Sequence, residues 1–454
     1  MIIKQYKTNL TSNELFCQFE NQKHVMFLDS ARDKETLGQY SILVANPRLI
    51  IESKGSDILV DGKKIDEENP FDALQDLLDT YPKSYKTELP FIGGFVGFLS
   101  YDLKAFIEKL NVTVKDDIDM PDMFLGLYDG AVIYDHQREL VFMTDAMIDD
   151  NGIDRIEAMI KIIESNKNQI VLHKHQTENE VTSNFEKEPY KASIERVRDY
   201  IRSGDIYQIN MTQRFEAEMR DEPFELYQKL RTINPAPFAS YIDFGTGQVL
   251  SSSPERFIKI TDGIIEARPI KGTMPRSTDP VIDQQNKEIL INSKKDQSEL
   301  LMIVDLERND LSRIAKTGTV DVTELFKLES YATVHHLVAT VVAKVDEQYS
   351  VTDCLKATFP GGSITGAPKI RAMEIIDELE PTARGLYTGS IGYIDLNGNM
   401  DLNIVIRTYI CKNNKAYFQA GGGIVWDSDP ELEYQESLDK AFALVKALNY
   451  GVDS

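Results

Sequence analysis

Cysteine, histidine and positive charge are scarce in this sequence. Only three of its 454 residues are cysteine: Cys17, Cys354 and Cys411, far apart and odd in number. No Cys-x-x-Cys spacing occurs, which argues against a disulfide framework and a thiolate zinc site. The six histidines are scattered apart from His173/His175 and His335/His336. No apolar run approaches the ~18 residues of a membrane span. The opening MIIKQYKTNL lacks the apolar core of a signal peptide, so the expected compartment is a reducing cytoplasm, with no membrane partner. Fifty Lys and Arg stand against 73 Asp and Glu, a formal charge of −23. That balance argues against nucleic acid as a main partner, because phosphates demand a basic face. An anionic ligand would need positive charge supplied locally.

What is present describes a soluble globular chain. Hydrophobic residues make up 42% and charged residues 27%, which excludes a disordered or collagenous chain. The polar stretch SNKNQIVLHKHQTENEVTSNFEKEP divides the chain into a region over 1–165, a connection over 166–188 and a second region over 189–449. In the first region VMFLDSA and YDGAVIYDHQRELVFMTDA read as strands and DRIEAMIKIIES as a helix. In the second, a helix is predicted from Pro189 to Ser203, ended by Gly204. A long strand follows over 208–219. Its odd positions (Ile209, Met211, Gln213, Phe215, Ala217, Met219) are almost wholly apolar, and its even positions (Gln208, Asn210, Thr212, Arg214, Glu216, Glu218) polar, a face that is either solvated or lines a pocket. QVLSSSPERFIKI and KAYFQAGGGIV read as strands, with helices from about 296, 368 and 431. The fold class is α+β.

Three groups of residues could carry chemistry. Asp296 and Glu299 lie three apart on one helix, and Glu433 and Glu436 do so on another. On the second helix Tyr434, Leu438, Ala441, Phe442 and Val445 form the expected core stripe. Each pair is either a solvated face or half of a carboxylate set for a hard cation such as Mg²⁺. FPGGSITGAPKIRAMEIIDEL and the triplet Gly421-Gly422-Gly423 are either turns or backbone N–H cradles for an anion. Ala367 stands where a P-loop needs lysine. Lys271, in Pro-Ile-Lys-Gly-Thr, is either a surface lysine or a buried, partly neutral nucleophile. Glu255 is either a salt-bridge partner or an acid. Trp426 reads as structural.

Taken together, SSSPERF, PIKGTMPR, SELLMIVDLERNDLSRIA, VHHLV, FPGGSITGAPKIRAMEIIDELEP, GSIGYI, IRT, AGGGIV and ELEYQESLDKA resemble, in this order, the chorismate-utilising enzymes. These include the component I chains of anthranilate and aminodeoxychorismate synthases and the isochorismate and salicylate synthases. The resemblance is strong over 185–449 and looser over FLDSA and GGFVGFLSYD. It implies an α/β sandwich of two facing antiparallel sheets with helices outside. It implies Mg²⁺ held by Glu299 and Glu436, with Asp296 and Glu433 nearby. It places chorismate on Arg407, Tyr387 and the amides of Gly421, Gly422 and Gly423, with Gly272, Thr273 and His336 as further contacts.

Members that add water carry a lysine where this chain has Gln208. Anthranilate synthases carry alanine where it has Lys271, and that lysine marks the aminodeoxychorismate branch. The resemblance therefore implies amination of chorismate at C4, with Lys271 as nucleophile at C2 and Glu255 as acid. Ammonia would come from a separate glutaminase subunit. Amination at C2, or a silent chorismate-binding subunit, are the alternatives. The family's indole pocket would fall at Asp29, Ser30, Pro235 and Phe238. The sequence departs from the feedback pattern there, so control by tryptophan is not expected.

Overall fold

Alternating apolar and polar residues build two large β-sheets whose inner faces share one core. The computed structural model describes residues 1–30, 37–110, 114–165, 168–330 and 334–452; Ala31 of the expected strand VMFLDSA lies outside them. The first sheet runs Ile2–Tyr6, Leu140–Asp145, Val132–Asp135, Tyr40–Val44, Met26–Asp29, Phe238–Asp243, Gln248–Ser253, Thr408–Lys412, Lys415–Ile424, Gln208–Glu218 and Val181–Ser183. The second includes, in order, Ile270–Pro275, Val334–Lys344, Ile264–Ala267, Arg256–Thr261, Met400–Asn403, Ser390–Asp395, Gly94–Leu99, Met123–Tyr128 and Leu49–Lys54. Both sheets take strands from either side of the polar stretch. Met26–Asp29 pairs antiparallel with Phe238–Asp243, and Gly94–Leu99 with Ser390–Asp395.

Period-two packing sorts neighbours to opposite sides. Ile242 and Val249 enter the core between the sheets, while Tyr241 and Leu250 enter a second core under the outer helices. That outer layer includes Ser12–Phe19, Gly152–Ser165, Pro223–Ile233 and Pro430–Leu448. The two facing antiparallel sheets with helices outside are the α+β sandwich expected.

The local expectations fare unevenly. The helix predicted from Pro189 spans Lys187–Ser203 and ends at Gly204 with φ +83°. The three helices expected from about 296, 368 and 431 start at Lys294, Lys369 and Pro430. The polar face of strand Gln208–Glu218 is solvated only at its end: Gln208, Asn210, Thr212 and Arg214 are buried, Glu216 is half-buried and Glu218 exposed. Two of these side chains bond inside the protein, Thr212 Oγ1 donating to Glu380 (2.8 Å) and Asn210 Nδ2 to the Ile364 carbonyl (3.2 Å). QVLSSSPERFIKI is not one strand. It breaks at Pro254-Glu255, so that Gln248–Ser253 lies in the first sheet and Arg256–Thr261 in the second. Proline cannot donate to a ladder, which makes it a natural point for the chain to leave one sheet.

Candidate active site

The crossing at Pro254 leaves Glu255 buried between the layers. Ser363 Oγ donates to its Oε1 at 2.9 Å, and the Ile270 N–H also hydrogen-bonds to the carboxylate. Burial raises the Glu255 pKa above the usual carboxylate range, against the pull of these donors and of Lys271. A carboxyl held so can start a reaction protonated and act as an acid.

Lys271 sits on strand Ile270–Pro275, whose pairing slips between Lys271 and Thr273. Gly272 takes φ +75° at this bulge. A Cβ there would lie 2.9 Å from Asp296 Cγ, so only glycine fits the approach. Burial lowers the Lys271 pKa below that of an ordinary lysine; Glu299, Glu255 and Glu436 oppose the shift and Lys440 adds to it. A Cβ placed on Gly423 would lie 2.7 Å from Gln208 Nε2 and 3.7 Å from Lys271 Nζ. Amine, amide and glycine thus share one spot, and Gln208 Oε1 is buried there without a hydrogen-bond partner among the described residues.

The acidic helices converge beside them. A Cβ on Gly422 would lie 3.0 Å from Glu433 Oε2 and 3.1 Å from Glu436 Oε1. Burial raises the pKa values of Glu299 and Glu433, and the charge of Glu436 raises both further. The expected core stripe of the second helix needs correction. Glu433 lies on its buried side with Ser437, Ala441 and Leu444, and Phe442 is 59% exposed. Glu433 Oε1 accepts from Ser428 Oγ at 2.6 Å, whereas its buried Oε2 has no hydrogen-bond partner among the described residues. An orphaned carboxylate oxygen among mutually repelling carboxylates is chemically suited to a divalent cation. Among the described residues no three Asp, Glu, His or Cys groups come together as a set able to hold a metal ion by themselves. An open set of carboxylate oxygens would suit Mg²⁺, which draws the rest of its coordination from water and ligand.

Positive charge stands opposite. Strand Thr408–Lys412 pairs with Lys415–Ile424 only as far as Phe418. Beyond the fork, the glycine triplet pairs on one side with Thr212, Met211 and Asn210, and no strand among the described residues pairs with its other edge. Arg407, with φ +54°, stands where the strands part. Its Nη1 donates to the Lys440 carbonyl, and its guanidinium has no carboxylate partner among the described residues. The buried Tyr387 hydroxyl, pushed up to about 12 chiefly by burial, interacts with Arg407 and accepts from the Asn210 side chain. Thr273 Oγ1 lies 3.0 Å from His336 Nδ1, and burial lowers the His336 pKa.

Two residues escaped the sequence-based expectations. Lys440 Nζ bonds Glu436 Oε1 at 2.6 Å and the Gly421 carbonyl at 2.9 Å, joining the acidic helix to the glycine edge. Its position four after Glu436 was the available signal. Ser363, inside the glycine-rich loop, carried none. Asp29, Ser30 and Phe238 lie apart, on the wall of a different cavity of about 340 Å³ that Pro235 does not line. Asp29 is already bound by Arg231 Nε (2.5 Å), Ser41 Oγ (3.2 Å) and the Tyr227 hydroxyl (3.3 Å). Trp426 is 44% exposed, with Arg198 and Arg202 over its ring.

An acid, an amine, a carboxylate set and an anion seat at the junction of two sheets define an enzyme site for a small anion, and the comparisons agree. Residues 23–446 match the chorismate binding enzyme family. Aminodeoxychorismate synthase component 1 of Escherichia coli (strain K12) is 40% identical over 439 residues, 95% of each chain. Anthranilate synthase component 1 of Acetivibrio thermocellus is 37% identical over 457 residues, 96% of this chain and 92% of the other. The crystal structure of anthranilate synthase component I from Streptococcus pneumoniae TIGR4 superimposes with a TM-score of 0.82 at 35% identity, covering 90% of this chain and 92% of that one. The chain belongs to the chorismate binding enzymes.

Proposed function

We propose that this enzyme aminates chorismate at C4, giving 4-amino-4-deoxychorismate, with ammonia supplied by a separate glutaminase subunit. Relatives carrying the two amination activities match almost equally well. The observation that supports C4 amination is the primary amine of Lys271, set beside Gly423 and Gln208 and electrostatically coupled to Glu255.

Arg407, Tyr387 and the open glycine edge would seat one end of the dianion. Glu299 and Glu436, with Glu433 and Asp296, would hold Mg²⁺ for the ring carboxylate. When bound, that ion supplies electron withdrawal from the ring and charge neutralisation. Lys271, in its neutral form, attacks C2 as Glu255 protonates the C4 oxygen; the double bonds shift and water leaves. Lys271 sheds its extra proton to the Glu255 carboxylate. Ammonia then bonds to C4, the shift reverses, and the C2–nitrogen bond breaks as Glu255 protonates the departing nitrogen, which restores the Lys271 amine; the new C4 ammonium returns a proton to Glu255. The overall change consumes chorismate and ammonia and yields product and water, one hard substitution divided into two.

Purified enzyme with chorismate, ammonia and Mg²⁺ should form a product that becomes 4-aminobenzoate only after a lyase is added. Lys271→Ala should lose C4 amination, with nitrogen diverted to C2 as fluorescent anthranilate. Glu255→Gln should slow either product by about 100-fold or more, the scale of a lost general acid. Undiminished aminodeoxychorismate from Lys271→Ala would sink the covalent step. Anthranilate as the sole wild-type product would make the chain a C2-aminating enzyme instead.

A further inference from the structure

One buried carboxyl has no part in the chemistry just described. On helix Lys294–Ser312 the buried residues are Leu300, Ile303, Val304, Glu307, Asp310 and Leu311. Glu307 occupies a position where helical periodicity calls for a hydrophobe. It is 5% exposed, and the one nearby ammonium, Lys369, is already held by Asp310 Oδ2 (2.5 Å) and the Thr358 carbonyl (2.9 Å). Its carboxyl lies against Gly362: a Cβ there would be 3.2 Å from Glu307 Oε1, and the Gly362 N–H hydrogen-bonds to the carboxylate. The next residue, Ser363, donates its hydroxyl to Glu255. Consecutive residues of one short turn, Gly362–Ile364, therefore tie two buried carboxyls together.

We propose that Glu307 is a positioning residue for Glu255, acting through the turn at Gly362 and Ser363. By accepting the Gly362 N–H it anchors the turn on helix Lys294–Ser312, which keeps the Ser363 hydroxyl on Glu255 Oε1. With Oε1 committed as an acceptor from Ser363, the other oxygen is the one free to carry the transferable proton. Burial first, and the charges of Asp310 and Glu255 after it, push the Glu307 pKa up to about 8. A carboxyl that stays neutral near neutral pH can fill this place without adding a negative charge beside Glu255 and Asp310. A glutamine would keep the acceptor and the volume; a methionine would keep only the volume.

The inference rests on the reading of Glu255 as the acid, and its test can be read on either amination product. Steady-state kinetics with chorismate, free ammonia and Mg²⁺ would compare wild type, Glu307→Met, Glu307→Gln, Ser363→Ala and the double variant Glu307→Met/Ser363→Ala. Glu307→Met should lose about tenfold in kcat, the size of one hydrogen-bond's worth of positioning. Its KM for chorismate should stay within about twofold. Glu307→Gln should recover most of that loss, and the double variant should be no slower than Ser363→Ala alone. Equal losses in the methionine and glutamine variants, additive losses in the double variant, or an unchanged kcat in Glu307→Met would each overturn the proposal. If Glu307→Met fails to fold, Glu307→Gln combined with Ser363→Ala serves in its place: a rate equal to that of Ser363→Ala alone supports the link, and a further loss contradicts it. Should wild type release only anthranilate, C4 amination is refuted, while the kcat comparison still tests the link to Glu255.

Discussion

Lys271 shows what it takes to hold an amine ready. Burial disfavours its charged form, and the three carboxylates that oppose the shift do not restore the ordinary value. The group binds fewer protons folded than unfolded over the pH range between its depressed folded pKa and about 10.4, the unfolded value. Stability therefore rises with pH across that window, and the cost of the amine is greatest below it. Lys271→Met should stabilise the unliganded protein, most at pH 7 and least near pH 10.5, read from urea midpoints at the two values. A variant that is less stable at pH 7, or whose advantage grows with pH, would contradict a depressed pKa. The sequence offered the residue type and its Pro-Ile-Lys-Gly-Thr setting, and left both surface and interior open. The choice depends on Gly423 and Gln208, which come from distant strands.

At the scale of elements, one buried ion pair fastens the site's walls together. Arg384 bonds Glu380 through Nε (2.9 Å) and Nη2 (2.7 Å), and reaches the Asn210 carbonyl (2.6 Å) and the Ile364 carbonyl (3.0 Å). Glu380 Oε1 also accepts the Thr212 N–H and hydroxyl. The pair thus joins strand Gln208–Glu218, the glycine-rich loop and the segment leading to Tyr387. Removing one partner strands a buried charge, so Arg384→Met should cost roughly 3–5 kcal/mol. Chemical denaturation would check it, and a loss below about 1 kcal/mol would put the pair in the class of exposed bridges. Alternation along residues 208–219 was legible as a strand, and its polar face was open to two readings. Burial of that face follows from Glu380 and Ile364 lying over it, contacts that no local pattern encodes.

For the molecule as a whole, the polar stretch over 166–188 is a boundary in composition and not in the sheets. Each sheet crosses it, through Met26–Asp29 against Phe238–Asp243 and through Gly94–Leu99 against Ser390–Asp395. A protease site introduced at the exposed Gln176-Thr177 should give two fragments that co-elute and melt in a single transition. Fragments that separate, or two calorimetric transitions, would mean that each side folds alone.

The sequence by itself determined the helix and strand periodicities, the acidic pairs on two helices and the inventory of groups able to do the chemistry, because these depend on residue type and on neighbours within a few positions. It also supported the family resemblance, carried by long ordered motifs. Only the tertiary structure decided that Glu255 stands where the chain changes sheets, that Glu433 is buried and Phe442 exposed, and that Lys440 and Ser363 belong to the site. Those outcomes arise from contacts between residues far apart along the chain, and burial, which sets both the charge of an amine and the proton on a carboxyl, exists only once the layers have closed.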